Sequence, residues 1–379
     1  MRKRSVLLIA GACLASLSLA VGSAMADPSS TNTPRNLNGE GSDTTQGVMN
    51  ALSNGIGPTA GISIGGVLQV GSWDAANPPG TGTITTRSSP AACTNMPRQS
   101  GSNNGITALV NDRNAATHCL SFARSSTNSV ANFPNDHLTY IPFATDAVAY
   151  AFRGPGASPG GSSINRNASV AFLKTLYTQT GNPGAGTCIA NFQPLLPQFG
   201  SGTRQFFLQN VLGLGAGADV ANYAGPGGLH PCVLDTDSAG HPLLENTGNL
   251  LTSDQQVEPY SVSSWIAQTT KAVSDVHGLT LLGNIQSSSG VNTPSLAINS
   301  SAVGSRPVFN VVPNVLVQNA SNSQQVFVNT APAGSPNTSL LCQQTSTILQ
   351  LGFLPRSDCG STTIQTDSGT GTDTVAPNE

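Results

Sequence analysis

Two short runs of glycine and hydroxyl residues, each directly before an amphipathic helix pattern, constrain this chain more than any other feature. The first is Gly-Ser-Asp-Thr-Thr at 41–45, and the second is Gly-Ser-Gly-Thr-Arg at 200–204. Apolar residues follow each run at helical spacing, which predicts a helix packed on one face. Unpaired N–H groups and the helix dipole let a helix N-terminus bind an anion. Two such ends facing one cleft would bind an anion without a metal or a cofactor.

The first 26 residues predict a secretory signal peptide. Residues 2–4 are basic, residues 6–21 are apolar, and Ala-Met-Ala at 24–26 predicts cleavage after Ala26. We therefore expect a secreted, extracellular protein. Cleavage also removes three basic residues, so the formal net charge changes from −3 to −6. This charge argues against nucleic acid as a partner, because nucleic-acid binding needs a basic surface.

After residue 26 the chain holds six cysteines, and an even number in an exported protein predicts disulfide bonds. Many pairings are formally possible. Pairing in sequence order is favoured because each pair then falls within one predicted structural region. The expected bonds are Cys93 with Cys119, Cys188 with Cys232, and Cys342 with Cys359. No C-x-x-C spacing suggests zinc, so we expect neither a metal nor a cofactor.

Strand-like and helix-like segments alternate along the chain, which predicts an α/β fold with a parallel sheet. Two β-rich runs at 138–143 and 147–152 are separated by Ala-Thr-Asp at 144–146, and a Gly/Pro/Ser stretch at 154–163 predicts a boundary. Three further elements are predicted: a long loop over 76–104, a strand over 308–317 and a helix over 340–351. The tail at 361–379 is dominated by Thr, Ser, Gly and Asp, which predicts disorder.

The order of the motifs resembles a known family. The run at 41–45 is followed by Gly71-Ser72, by Phe-Ala-Arg-Ser-Ser at 122–126, by Ile-Pro-Phe-Ala at 141–144, and by the run at 200–204. This order is similar to that of the phosphate-type solute-binding proteins of ABC importers, and more closely to a secreted actinobacterial branch. The resemblance implies an α/β, two-lobed, periplasmic-binding-protein-like (type II) fold.

In such a fold the chain crosses the hinge twice, here near 147–152 and 259–262. The first lobe would then combine residues 27–150 with 261–360, and residues 151–260 would form the second lobe. The implied partners are a small anionic, phosphate-like ligand and an ABC permease. We expect a monomer.

The same resemblance implies a binding site built from both lobes. The first lobe would contribute Ser42, Thr44, Thr45, Ser72, Ser125 and Ser126, and the second would contribute Ser201, Gly202, Thr203 and Arg204. The sequence departs from the family pattern at two places. Ser125 and Ser126 stand where phosphate binders carry an acidic residue, which accepts a proton from the ligand and so rejects sulfate. Pro197 stands where they carry an arginine, so Arg204 or Arg124 would have to supply the charge.

Two alternatives to the capture of a small oxyanion such as phosphate remain open. A secreted phosphatase or esterase could use the same scaffold, and Gly-Ala-Ser-Pro-Gly at 156–160 matches the G-x-S-x-G pattern. That match lies in a Pro/Gly loop without a strand before it or a helix after it, and no enzyme is expected. A surface or matrix protein without a transport role is the other alternative, because the residues before Cys13 do not form a lipoprotein site that would tether the protein near an importer.

Overall fold

The computed structural model describes residues 27–28, 35–75, 81–153, 166–287, 298–377 and 379. The predicted signal peptide, the predicted boundary at 154–163 and the G-x-S-x-G match lie outside these residues. Within the described ranges, no helix is long and apolar enough to cross a membrane.

Strands and helices alternate along the described chain, which confirms the α/β class. The strands are β1 (Leu37–Gly41), β2 (Ser63–Ile64), β3 (Val67–Leu68), β4 (Val70–Ser72), β5 (Thr83–Ile84), β6 (Met96–Pro97), β7 (Phe122–Ser125), β8 (Leu138–Arg153), β9 (Asn167–Ser169), β10 (Gln193–Pro194), β11 (Gln256–Ser261), β12 (Thr280–Gln286), β13 (Ser305–Pro313) and β14 (Leu354–Pro355). The helices are α1 (Gln46–Asn54), α2 (Ser102–Asn114), α3 (Val170–Tyr177), α4 (Gly202–Phe206), α5 (Val262–Thr269), α6 (Asn314–Asn319), α7 (Ser321–Phe327) and α8 (Thr345–Gln350). A π-helical turn over Phe207–Val211 extends α4.

One sheet dominates the molecule, with the strand order β10-β11-β8-β13-β7-β1-β4. The strand β1 runs parallel to both β4 and β7. The carboxyl ends of these three strands therefore meet at one edge, where ligands bind in open α/β sheets. This edge carries the run at 41–45 together with Ser72 and Ser125.

The long strand β8 replaces the two strands predicted at 138–143 and 147–152, so the predicted break at 144–146 is wrong. All of its side chains are buried, and Ala144 and Thr145 pair with both β13 and β14. Asp146, which resembles a turn residue in the sequence, instead forms an ion pair with Arg306. Pairing on both sides keeps the strand continuous.

The apolar core is divided between the two ends of β8. One cluster includes Val48, Phe143 and Val312, and another includes Tyr150 and Phe207. The chain passes from the first group to the second along β8. It passes back where β11 leads into α5.

The strand β12 corrects the expectation that residues 261–360 belong to the first lobe. It pairs with the second half of β8, with Gly283 opposite Tyr150, and it also pairs with β9. Ile285 lies in the same cluster as Tyr150. Burial of the apolar side chains of β12 thus returns the chain to the second core group before β13 begins. The chain therefore passes between the two core groups more often than the two crossings that were expected.

Three predicted elements have different bounds in the structure. The strand predicted over 308–317 ends at Pro313, which has no N–H to donate, and α6 begins at the next residue. The helix predicted over 340–351 begins only at Thr345. The loop predicted over 76–104 ends early because α2 begins at Ser102.

All three predicted disulfides are confirmed. Cys93 is bonded to Cys119, Cys188 to Cys232, and Cys342 to Cys359.

The tail predicted to be disordered is held against the rest of the molecule. Tyr140 donates its backbone N–H to the carbonyl of Ile364 at 2.8 Å. Arg113 forms an ion pair with Asp373 at 2.9 Å. The tail is poor in apolar side chains, but its backbone and carboxylate groups find partners on distant elements, and composition cannot reveal such partners.

We expect Glu40→Gln to change the pH dependence of stability. Burial raises the pKa of Glu40 from 4.5 to about 7, and the N–H of Gln99 donates to its Oε2 at 2.9 Å. Since the folded state binds this proton more tightly than the unfolded state, stability is lost as pH rises from 4.5 to about 7. The stability of Glu40→Gln relative to wild type should therefore rise by about 3 kcal/mol across that range, measured by urea unfolding. A difference that stays constant with pH would contradict this.

Candidate functional site

The turn at 41–45 delivers hydroxyl groups to the start of α1. The side chains of Ser42, Thr44 and Thr45 are all buried. Ser42 Oγ and Thr45 Oγ1 have no hydrogen-bond partner among the described residues. Two buried hydroxyls with spare donors therefore lie beside a helix N-terminus.

The start of α4 presents a second set of donors. Ser201 caps this helix, because its Oγ accepts the N–H groups of Thr203 and Arg204 at 3.1 and 3.2 Å. Gly202 has no room for a side chain, since a Cβ there would lie 2.3 Å from Ser102 Oγ and 2.6 Å from Ser126 Oγ. The segment at 200–204 is therefore packed closely against elements of the first group.

Residues at the start of α2 pack against the same segment at 200–204, where the two core groups meet. The N–H of Asn103 donates to the carbonyl of Gly200 at 3.0 Å. Gly101 adopts a φ of 92°, and a Cβ there would lie 2.7 Å from the same carbonyl oxygen. The N-termini of α1, α2 and α4 consequently converge on one buried region.

Three hydroxyls from the two groups meet at the carboxylate of Glu245. Thr44 Oγ1 donates to Glu245 Oε1 at 2.8 Å, and Thr203 Oγ1 donates to the same oxygen at 3.1 Å. Ser201 Oγ donates to Oε2 at 3.1 Å, and the two threonine hydroxyls lie 3.1 Å apart. We call Thr44, Ser201 and Thr203 the hydroxyl cluster.

Arg306 supplies the positive charge beside the hydroxyl cluster. Its Nη2 donates to Thr203 Oγ1 at 2.7 Å and to Thr44 Oγ1 at 3.3 Å. The same nitrogen donates to Asp146 Oδ2 at 2.8 Å, while Nη1 has no partner among the described residues. The side chain is fully buried, and the Phe206 ring centroid lies 5.5 Å from its guanidinium carbon. Its charge is therefore screened only weakly by solvent.

A second carboxyl group lies next to Glu245. Burial, and then the charge of Glu245, raise the pKa of Asp43 well above its usual range. Asp43 Oδ1 accepts the N–H of Gly101 at 3.2 Å, and the carboxyl groups of Asp43 and Glu245 lie within hydrogen-bond contact of each other. The raised pKa favours the protonated form of Asp43, which reduces the negative charge in this region.

The structure gives Arg204 a different role from the predicted one. Its buried guanidinium forms ion pairs with Asp219 at 2.7 Å and with Asp235 at 2.9 Å. Arg124 is likewise committed, since it donates to Ser72 Oγ at 3.0 Å and to the carbonyl of Ser42 at 3.1 Å. Both arginines hold the surrounding segments together and do not extend to the hydroxyl cluster.

The remaining predicted residues divide into two sets. One set comes together where the two core groups meet, and it comprises Thr44, Ser126, Ser201, Gly202 and Thr203. In the other set, Ser72 contacts Arg124. Ser125 Oγ donates to the carbonyl of Thr127 at 2.8 Å.

The sequence reasoning missed Arg306, Glu245 and Asp146. One usable signal existed for two of them: Arg306 and Asp146 are charged residues inside largely apolar strands, where such residues are rare unless they are paired. Among the described residues, no group of three His, Cys, Asp or Glu side chains could hold a metal ion.

The fold and the site define an α/β protein with two core groups and, at their junction, a buried set of hydroxyls around an arginine. No family model and no curated protein matches the chain. Among solved structures, a Clostridium perfringens protein described as a phosphate ABC transporter substrate-binding protein, with bound phosphate, is 12% identical; the match covers 85% of this chain and 99% of that one, with a TM-score of 0.47. An ABC-type phosphate transport receptor from Vibrio cholerae is 14% identical, with 84% and 100% covered and a TM-score of 0.46.

A phosphate-binding protein from Stenotrophomonas maltophilia is 13% identical, with 85% and 91% covered and a TM-score of 0.42.

Proposed function

We propose that this protein is a solute-binding protein that holds a small oxyanion at the hydroxyl cluster. The observation that carries the proposal is the carboxylate of Glu245, which accepts hydrogen bonds from hydroxyls of both core groups. These donors, with Arg306 beside them, already bind one oxygen anion supplied by the chain itself. Phosphate is the first candidate, because the order of the sequence motifs resembles that of the phosphate-type solute-binding proteins.

The incoming anion replaces the Glu245 carboxylate in this proposal. A dianion placed beside both Glu245 and Asp146 would be repelled in a region with little water. With Glu245 displaced, the hydroxyl cluster turns to the ligand. Ser42 Oγ, Thr45 Oγ1 and Arg306 Nη1 have further capacity to donate.

Two lobes would open and close around this site. The first comprises the residues before Ala147 and those from β13 onward, and the second comprises residues 147–261 with β12. Opening would separate Thr44 from Thr203 by bending at β8 and at the passage from β11 to α5.

The proposal also includes secretion with cleavage after Ala26 and delivery of the ligand to an ABC permease. It further includes a monomeric state and membership of a secreted actinobacterial branch. The disulfides support export, since such bonds persist in oxidising compartments.

A hydrolase is less well supported by the contacts. Ser201 Oγ accepts two backbone N–H groups in its capping role, which ties up its lone pairs. His137 bonds to Asp367 at 2.6 Å and His241 bonds to Asp237 at 3.1 Å, so neither histidine is directed at Ser201.

We expect Ser201→Ala to weaken phosphate binding about tenfold or more, because a buried donor to the anion is lost. Isothermal titration with phosphate and then sulfate measures this. Ser169→Ala is the matched control: Ser169 caps α3 in the same way, far from the site, and accepts the N–H of Phe172 at 3.1 Å. Equal affinities of Ser201→Ala and wild type would refute the site, and absence of heat with either anion in wild type would refute the proposed ligand class.

A further inference from the structure

A cavity of about 260 Å³ lies directly beside the hydroxyl cluster. It is bounded by the first turns of α1, by α5 and by the segment on either side of Glu245. Thr44 and Asp43 line it, so one side chain of the hydroxyl cluster is also a wall of the cavity. Displacement of Glu245 would extend the cavity to the hydroxyl cluster.

Buried polar groups in the cavity wall have unused hydrogen-bonding capacity. Asn50 is 3% exposed and its Oδ1 has no partner among the described residues, although its Nδ2 donates to Asp74. Asp43 is 2% exposed; its Oδ2 accepts no hydrogen bond from a donor group there, and its carboxyl group contacts that of Glu245, so displacement of Glu245 would free it. An amide oxygen needs a donor, and a carboxyl group can accept or, when protonated, donate. A ligand hydroxyl matches both groups.

Apolar residues also line the cavity, among them Val48, Val273, Leu351 and Phe353. These side chains suit a short carbon chain, while Asn50 and Asp43 suit its hydroxyls. If each carbon or hydroxyl group takes the volume that one water molecule occupies in the liquid, the cavity has room for about eight of them.

We propose that this cavity binds the organic part of the ligand, so that the ligand is an oxyanion ester of a small polyol and not the free inorganic ion. This inference rests on the proposed function, because it places the anionic group of the ester at the hydroxyl cluster. The carbon chain then extends along α1, where its hydroxyls donate to Asn50 and exchange hydrogen bonds with Asp43.

The test compares inorganic phosphate with glycerol 3-phosphate by isothermal titration of the whole secreted protein. We expect glycerol 3-phosphate to bind about tenfold more tightly than inorganic phosphate, since its hydroxyls satisfy buried groups that the free ion leaves unpaired. Asn50→Leu should remove that advantage and leave the affinity for inorganic phosphate unchanged.

Ala75→Phe provides a second variant, because Ala75 lines the cavity and is only partly buried, so a larger side chain can fill the space without crowding the core. It too should weaken glycerol 3-phosphate alone. Equal or tighter binding of inorganic phosphate, or an equal loss of both compounds in the two variants, would overturn the inference and leave the proposed function standing. Failure of wild type to bind either compound would overturn the proposed function itself, since the two share the anionic group.

Discussion

Replacement of Arg306 by methionine is expected to weaken anion binding by at least about thirtyfold, because truncating one member of a buried, hydrogen-bonded charge set typically costs about 2–5 kcal/mol. Arg306 is the cation that reaches the hydroxyl cluster, with its Nη2 bonded to Thr203 and Thr44. Its other terminal nitrogen, Nη1, is buried without a described partner and is oriented by the Asp146 ion pair. Isothermal titration with phosphate gives the affinity, and urea unfolding gives the stability of the same sample.

Stability needs its own control, since removal of Arg306 alone leaves Asp146 buried without its counter-charge, which costs about 3–5 kcal/mol. The double variant Arg306→Met with Asp146→Asn removes both charges. Ser261 Oγ and the N–H of Ser263 still bond to the Asn side-chain oxygen, each at 3.0 Å in the wild type. We expect this variant to recover stability without recovering binding.

A second control uses Arg113→Met, which breaks the ion pairs that Arg113 of α2 forms with Asp373 and Glu379 of the tail. It should lose stability and keep its affinity for phosphate. If Arg306→Met binds phosphate as wild type does while it remains folded, the positive charge of the site lies elsewhere and the proposed site is wrong.

Replacement of Glu245 by glutamine is expected to have the opposite effect and to tighten phosphate binding by about tenfold or more. In the wild type, the ligand has to displace a carboxylate that accepts three hydroxyl hydrogen bonds, and bonds to an ionised acceptor are roughly twice as strong as neutral ones. The neutral amide competes less well for the same donors.

The matched control is Glu258→Gln, which replaces another buried carboxyl group whose oxygens accept no hydrogen bond from the described residues. Burial, and then the charge of Glu245, raise the pKa of Glu258, so this substitution should leave the affinity for phosphate unchanged. Weaker binding by Glu245→Gln would mean that the carboxylate contacts the bound ligand, and the proposed exchange would then be wrong.

Local chemistry explains which parts of the fold were predictable. The helix after the run at 41–45 follows from its apolar spacing, and the capping role of Ser201 needs only its own neighbours in sequence. The disulfides were predictable because each pair lies within one short region. The continuity of β8 was not, because residues 144–146 remain in a strand only while β13 and β14 pair with them.

That two helices begin with hydroxyl and glycine residues follows from the local sequence, because capping acts within a few residues of the chain. Which charges those hydroxyls meet depends on tertiary contacts. Arg306 lies 103 positions from Thr203, and Glu245 lies 201 positions from Thr44. Arg204, the adjacent cation that the sequence favoured, is instead neutralised by Asp219 and Asp235. The physical reason is that a buried charge is stable only beside a partner, and the crossings of the chain at β8, β11 and β13 determine which partner it has.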